Sequence, residues 1–235
     1  MGVIGRSNII TDNLLIAFDS ANDKSYDSTL ATSPTTLYDL SGNNNDGTIY
    51  NSPNYSDLLY GSLYFDGTNE YVNIPYNSSF DFSLAQTVFI WLKPGTGADS
   101  ARRNPYNQAY GGSGTITHEP SGSFNYYFGT HGGNAQPYVG RNSGFTVEPN
   151  ELACICVTRS QTLNKCDWYK NGSLVNTANA GGYSSTNNGS SAIWISDGYT
   201  NNFIGDIYSI YVYNRFFTEE EVSQMYQSTR YRFGM

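Results

Sequence analysis

The chain has 235 residues, only 14% of them charged, with 21 Tyr, 12 Phe and 24 Gly and a formal net charge of −8. Its 12 basic residues are scattered, so the clustered cations that neutralise phosphates are missing and nucleic acid is excluded as a partner. Apolar runs such as Leu14-Leu15-Ile16-Ala17-Phe18 fall far short of the roughly 20 residues that cross a bilayer, so no membrane insertion is expected.

Tyr, Asn, Ser, Thr and Gly dominate where helical proteins use Ala, Leu, Glu and Lys, which implies an all-β chain with long polar loops. The N-terminus, Met1 to Arg6, shows neither the apolar stretch nor the cleavage site of an export signal. Arg6 also stands where N-myristoylation wants Ser or Thr, so cytoplasmic synthesis without a signal peptide is expected. Runs rich in Tyr, Phe, Val and Ile, bounded by Gly, Asn, Asp, Pro or Ser, predict strands at 14–18, 37–40, 48–50, 62–65, 71–74 and 87–92. The series continues at 124–128, 152–158, 166–170, 173–176, 192–196 and 207–213. Many short strands in succession are a sandwich or jelly-roll pattern, and no helix-period stretch before residue 217 leaves room for βαβ units.

Three turns are legible between these strands. Asn43 to Gly47 contains an Asp-Gly step, and Asp66-Gly67-Thr68-Asn69 reads as a hairpin between its flanking strands. Asn171-Gly172 predicts a type I′ hairpin. At the far end a helix starts at Thr218, with Glu221 completing a capping box and Phe217 stapled onto Val222. Glu219, Glu220 and Glu221 suit the positive end of its dipole, while Val222, Met225 and Tyr226 form a stripe expected to lie on a sheet edge. Gly95 to Gly114 and Asn179 to Ser191 read as long polar loops. No linker divides the chain, so residues 1–11 form an N-terminal arm and 12–235 a single domain.

Cys154 and Cys156 share one strand face and pair poorly with each other, whereas Cys166 could reach across to a neighbouring strand. The expectation is three buried thiols acting as small hydrophobes. A zinc site is excluded, because the only histidines, His118 and His131, fall in distant loops.

The motifs in sequence are Leu14 to Asp19, Asn22-Asp23-Lys24-Ser25-Tyr26, Tyr38 to Asn43, Asp46-Gly47-Thr48 and Gly61 to Val72. They are followed by Trp91 to Pro94, Trp168 to Gly172, Gly205-Asp206-Ile207 and Tyr213-Asn214-Arg215 with Glu219 to Val222. In this order the set resembles the concanavalin A-like lectin/glucanase superfamily in its laminin-G-like branch, over residues 12 to 235. Ser20 to Tyr26 and Arg232-Phe233-Gly234-Met235 are similar to the stand-alone version encoded by tailed bacteriophages. The resemblance implies a two-sheet antiparallel jelly-roll sandwich with one short C-terminal helix. It also implies a place on the virion surface, as a capsid decoration or a head or tail fibre component.

Related glycoside hydrolases carry Glu-x-Asp-x-x-Glu on one strand face, and this chain has no such string. No base-activated nucleophile or P-loop is apparent either, so a non-enzymatic protein is expected. The resemblance implies one structural calcium at Asp19, Asp66 and Asp206, although the same residues equally suit Asx-turns that end strands. Stacking on sugar C–H faces and hydrogen bonding to hydroxyls make Trp91, Tyr106, Asn107, Tyr126, Tyr199 and Asn201 candidate glycan or partner contacts. Trp91 and Trp168 equally suit the core, while Tyr106 and Tyr199 fall in predicted loops. The expected partners are the major capsid protein or other virion proteins, host-surface polysaccharide and further copies of the chain. A dedicated carbohydrate-binding lectin or adhesin is the competing reading, and a glycoside hydrolase the weaker one. The contact surface is expected at the loops Gly95–Gly114 and Asn179–Asn202, with Tyr106, Tyr110, Tyr183 and Tyr199, or else at the arm Met1 to Asn13.

Overall fold

Period-two alternation of apolar and polar residues builds this chain into strands, and the computed structural model describes residues 8–29, 34–57, 60–109, 113–129, 137–181 and 191–235. In chain order the strands begin with β1 (Leu14–Asp19), β2 (Thr36–Leu37), β3 (Gly47–Tyr50), β4 (Asn54–Ser56), β5 (Ser62–Asp66) and β6 (Tyr71–Ile74). Next come β7 (Ala85–Pro94), β8 (Arg103–Ala109), β9 (Gly114–His118), β10 (Ser123–Gly129), β11 (Tyr138–Thr146) and β12 (Ala153–Ser160). The last are β13 (Lys165–Lys170), β14 (Ser173–Ala178), β15 (Ile193–Ile195), β16 (Asn201–Asn202) and β17 (Ile204–Tyr213), followed by helix α1 (Glu219–Thr229).

Two sheets result. One runs β14-β13-β12-β7-β17-β5-β4, with β1 on the second half of β17; the other runs β11-β10-β9-β8-β15-β6-β3-β2. All of these pairs are antiparallel; only the two-residue β16 adds in parallel, to β8. Between the sheets Phe18, Val88, Ile90 and Val157 meet Val72, Ile116, Phe124 and Ile195 in one buried cluster. Each such side chain contributes about 1.5–3 kcal/mol by leaving water. The architecture is the two-sheet jelly-roll sandwich expected from the sequence.

Several local expectations need correction. Asp66 to Asn69 is not a hairpin: β5 lies in the eight-stranded sheet and β6 in the other, so this turn carries the chain between layers. Gly67 at φ 84 and the Thr68 amide donating to Asp66 Oδ1 are turn chemistry that serves either purpose. Much of the stretch 95–114 is strand rather than loop, because Asn104 Nδ2 donates to Ile116 O and Asn107 Oδ1 accepts from Thr115 Oγ1, both on β9, which offsets part of the cost of burying these amides. His118 accordingly ends β9 buried against Phe124, at 5.0 Å between ring centroids, instead of standing in a solvated loop.

The helix also departs from expectation, covering a face and not an edge. Val222 and Met225 pack with Phe217 and Phe233 on Phe89, Trp91, Cys154, Cys156, Tyr211 and Tyr213 from the outer side of the eight-stranded sheet. The capping box forms as read, with Glu221 N donating to Thr218 Oγ1 and Thr218 N to Glu221 Oε2. The described end of the arm is seated on this helix and on β17: Gln224 Nε2 donates to Asn8 O at 3.0 Å and Tyr213 Oη to Ile10 O at 2.9 Å. All three cysteines are free and buried, and burial pushes the Cys166 thiol up to about 12.

At the end of the nine-stranded sheet, β11 pairs with β10 alone among the described residues. Three of its carbonyls are stoppered by side chains. Trp168 Nε1 donates to Arg141 O at 3.1 Å, Asn176 Nδ2 to Asn142 O at 2.9 Å, and Lys170 Nζ to Thr146 O at 2.7 Å.

Candidate functional site

Strand parity divides the sequence-predicted contact residues. Trp91 is fully buried under the helix, stacked on Tyr226 at 5.6 Å, with its indole Nε1 donating to Thr229 Oγ1 at 2.8 Å. It fastens the C-terminal layer and offers no platform to a ligand. Tyr106 and Tyr126 point into the sandwich, where Gln86 joins them: Gln86 Nε2 donates to Tyr106 Oη at 3.1 Å, and Tyr126 Oη donates to Gln86 Oε1 at 2.6 Å. Burial pushes the Tyr126 phenol up to about 12, and Tyr106 lies on a core strand, not in a loop. These three are corrected from contacts to core. Tyr110, Tyr183 and His131 lie outside the described residues.

The remaining candidates meet on the outer face of the nine-stranded sheet. Register sets one continuous row across six strands: Thr48 opposite Asn73, Asn73 opposite Trp194, Trp194 opposite Asn107, Asn107 opposite Thr115, and Thr115 opposite Tyr127. Neighbouring strands are spaced by about 4.8 Å, so Trp194 and Tyr127 stand about 14 Å apart along the row. Between them Thr115 Oγ1 donates to Asn107 Oδ1 at 2.5 Å. The Asn107 Nδ2, shielded from solvent, has no hydrogen-bond partner among the described residues. Asn107, Trp194, Asp197 and Gly198 line a depression of about 280 Å³.

The segment after β15 walls this depression. β16 pairs with β8, Asn201 Nδ2 donates to Arg102 O at 3.0 Å, and Thr200 N donates to Asn104 Oδ1 at 3.0 Å. Asn201 is therefore a rim residue that holds the wall in place. Gly198 is required for close approach: a Cβ there would lie 2.8 Å from Asn104 Cγ and 2.9 Å from Asn107 Cβ. Tyr199 meets Tyr127 edge-on at 6.3 Å and 83°, and burial raises the pKa of its hydroxyl, which stays a donor.

Charges beside the row are mostly spoken for. Arg102 lies 5.7 Å from the centre of the Tyr127 ring, and its Nε donates to Glu119 Oε2 at 2.8 Å. Burial opposes a charge on Glu119, but hydrogen bonds from Thr117, Asn125 and Arg102 outweigh it and hold the carboxyl below its usual range. Asp197 accepts from the Gly198 amide at 2.7 Å and has no cation within 4.0 Å among the described residues. Tyr71, stacked on Tyr50 at 4.6 Å, lies near enough to Asp197 for that carboxylate to help burial raise its phenol.

The carboxylates predicted for calcium do not converge. Asp19 pairs with Arg232 at 2.5 Å, Asp206 with Lys93 at 2.8 Å, and Asp66 takes the amide of Thr68 while its own amide donates to Glu70. Asp19 and Asp66 make the Asx-turns that their positions also allowed. Among the described residues no group of three or more His, Cys, Asp or Glu is placed to hold an ion, so this set does not fit calcium.

A family model described as the concanavalin A-like lectin/glucanases superfamily, in a laminin-G form, matches residues 66–223. The chain belongs to this superfamily. As a concanavalin A-like domain it is similar to the binding domain of Paraclostridial Mosquitocidal Protein 1, with 16% identity and a TM-score of 0.69 over 92% of this chain and 52% of that one. The botulinum neurotoxin serotype D binding domain gives 12% identity and a TM-score of 0.71 over 94% and 53%. A botulinum neurotoxin type C structure, whose cell entry depends on two ganglioside molecules, gives 13% and 0.70 over 93% and 52%. This concanavalin A-like domain thus spans about half the length of each, and at such identity the likeness is one of fold. No sequence match is found among curated proteins.

Sequence reasoning missed Trp194, Tyr127, Tyr71 and Asp197 as site residues. For Trp194 the signal was present: Ile193 and Ile195 flank it, and two inward isoleucines on a strand force the residue between them outward.

Proposed function

We propose that the protein is a non-enzymatic recognition module that binds carbohydrate along the Trp194–Asn107–Thr115–Tyr127 row. The observation that carries this reading is the row itself, two outward aromatic rings about 14 Å apart with an amide and a hydroxyl between them. Rings stack on sugar faces, and the Asn107 Nδ2 between them is a donor left over for a hydroxyl, while the buried Thr115 hydroxyl holds the Asn107 amide in place. Glu119, a carboxyl held below its usual range by three hydrogen-bond donors, is unsuited to act as the general acid of a glycoside hydrolase. Two of the similar structures are toxin binding domains and a third belongs to a neurotoxin whose cell entry is ganglioside-dependent, which supports a surface-recognition role here.

The finer reading is a component of a bacteriophage virion surface, either a capsid decoration or a head or tail fibre part, a role compatible with glycan binding; its support is the phage-type strings Ser20 to Tyr26 and Arg232 to Met235. Host-surface polysaccharide and capsid proteins are then the partners. A glycan array with the parent protein and Trp194→Ala tests the binding. Signals that vanish in the variant uphold it, and an array silent for the parent overturns it. Incubation with laminarin, agarose and carrageenan should release no reducing ends; turnover abolished by Glu119→Gln would show an enzyme instead.

A further inference from the structure

The groove on the outer face of the nine-stranded sheet has an unbalanced charge, and that imbalance bears on which sugars fit. Arg102, the cation beside the row among the described residues, is engaged by Glu119 at 2.8 Å and by the Tyr127 ring. The carboxylate that walls the depression, Asp197, has no cation within 4.0 Å among the described residues. It is half-buried, held by the Gly198 amide at one oxygen, and faces the same 280 Å³ depression as Asn107 and Trp194. Partial burial lowers the local dielectric, so a second negative charge brought into the depression meets repulsion that solvent screens poorly. A hydroxyl or an ammonium meets the opposite condition, an acceptor with spare lone pairs.

We infer that the depression accepts uncharged or amine-bearing sugars and rejects uronate- or sialate-bearing ones, with Asp197 the residue that sets this choice. The inference rests on the proposed glycan-binding row and adds the charge class of its ligand. A 2-amino-2-deoxyhexose fits best: its ring stacks on Trp194, its hydroxyls reach the Asn107 amide, and its ammonium takes the open side of the Asp197 carboxylate. No covalent step is involved. The protein's net charge of −8 acts in the same direction on approach, repelling acidic chains before contact.

The test is an array holding neutral, amino-sugar, uronate and sialylated chains, read with the parent protein, Asp197→Asn and Trp194→Ala at two salt concentrations. Signals confined to neutral and amine-bearing chains uphold the inference. In Asp197→Asn the amine-bearing signals should fall about tenfold while uronate chains gain, at an unchanged melting temperature. Binding led by acidic chains, abolished by Trp194→Ala, would overturn the charge preference and leave the glycan-binding row standing. An unaltered profile in Asp197→Asn would remove Asp197 from the role. No signal for any class would overturn both the preference and the row.

Discussion

Trp91 and Thr229 are joined across the layer that covers the eight-stranded sheet, indole Nε1 to hydroxyl Oγ1 at 2.8 Å. The same hydroxyl donates back to Met225 O at 2.8 Å, so one threonine ties the last helical turn both to itself and to the sheet. Without the sheet the eleven-residue helix would be marginal in water, and the tryptophan supplies the surface it lies on.

Trp91→Phe should therefore destabilise the fold by about 1–3 kcal/mol, combining a lost buried hydrogen bond with a small cavity. Glycan binding should be untouched, because Trp91 lies on the opposite sheet from the row. Denaturant melts and array binding measured on the same preparation check both halves. A variant with parental stability and lost binding would contradict the placement of Trp91.

Removal of the helix cap gives a smaller effect. Thr218→Ala should cost about 0.5–2 kcal/mol. Val222→Asp should cost more, since it sets a charge without a counterion among Phe217, Met225 and the sheet. Parental melting of both variants would show that the helix contributes nothing to the folded unit.

The buried His118 makes stability fall on acidification. Burial lowers its pKa below the 6.5 of a free imidazole, against opposing contributions from the Val147 and Ala98 backbone, Asp99 and Glu119. Between the two pKa values the unfolded chain holds more protons than the folded one, so stability is complete above pH 6.5 and is lost as pH falls below it. His118→Leu should flatten that window in thermal melts from pH 7.5 to 5.5. Equal slopes for parent and variant would rule the histidine out as the source. Glu119 adds a separate loss below its free value of 4.5, as its hydrogen-bonded carboxylate takes up a proton.

In the groove, Trp194→Ala and Tyr127→Ala should each weaken glycan binding by about tenfold or more, as central aromatic contacts do. Thr48→Ala, at the far end of the row, should matter little. Titration calorimetry with the strongest array ligand checks this. Equal losses at all three positions would mean that the row does not act as a graded site.

Local chemistry in the chain was legible wherever one residue pair decides the backbone. Asn171 and Gly172 take positive φ, 52° and 79°, and join β13 to β14 as an Asn-Gly hairpin should. Thr218 and Glu221 cap as their spacing requires. Asp66-Gly67 shows where such reading stops, because a turn does not reveal whether the next strand stays in the same sheet. Strand β8 was hidden for another reason: Asn104, Asn107 and Gln108 have poor strand propensity, and only the partners across β9 and near Ser191 make them acceptable there. At the site the difficulty was parity. Tyr126 and Tyr127 are adjacent and chemically identical, and their pairing with Ile116 and Thr115 sends one into the core and the other onto the groove.

The stoppered rim of β11 has a consequence for crowding. With the carbonyls of Arg141, Asn142 and Thr146 already engaged by Trp168, Asn176 and Lys170, a neighbouring copy finds these three positions closed to sheet extension. Copies packed side by side at high density would therefore touch through side chains along this rim, and a dense array could assemble without seeding a fibre from it.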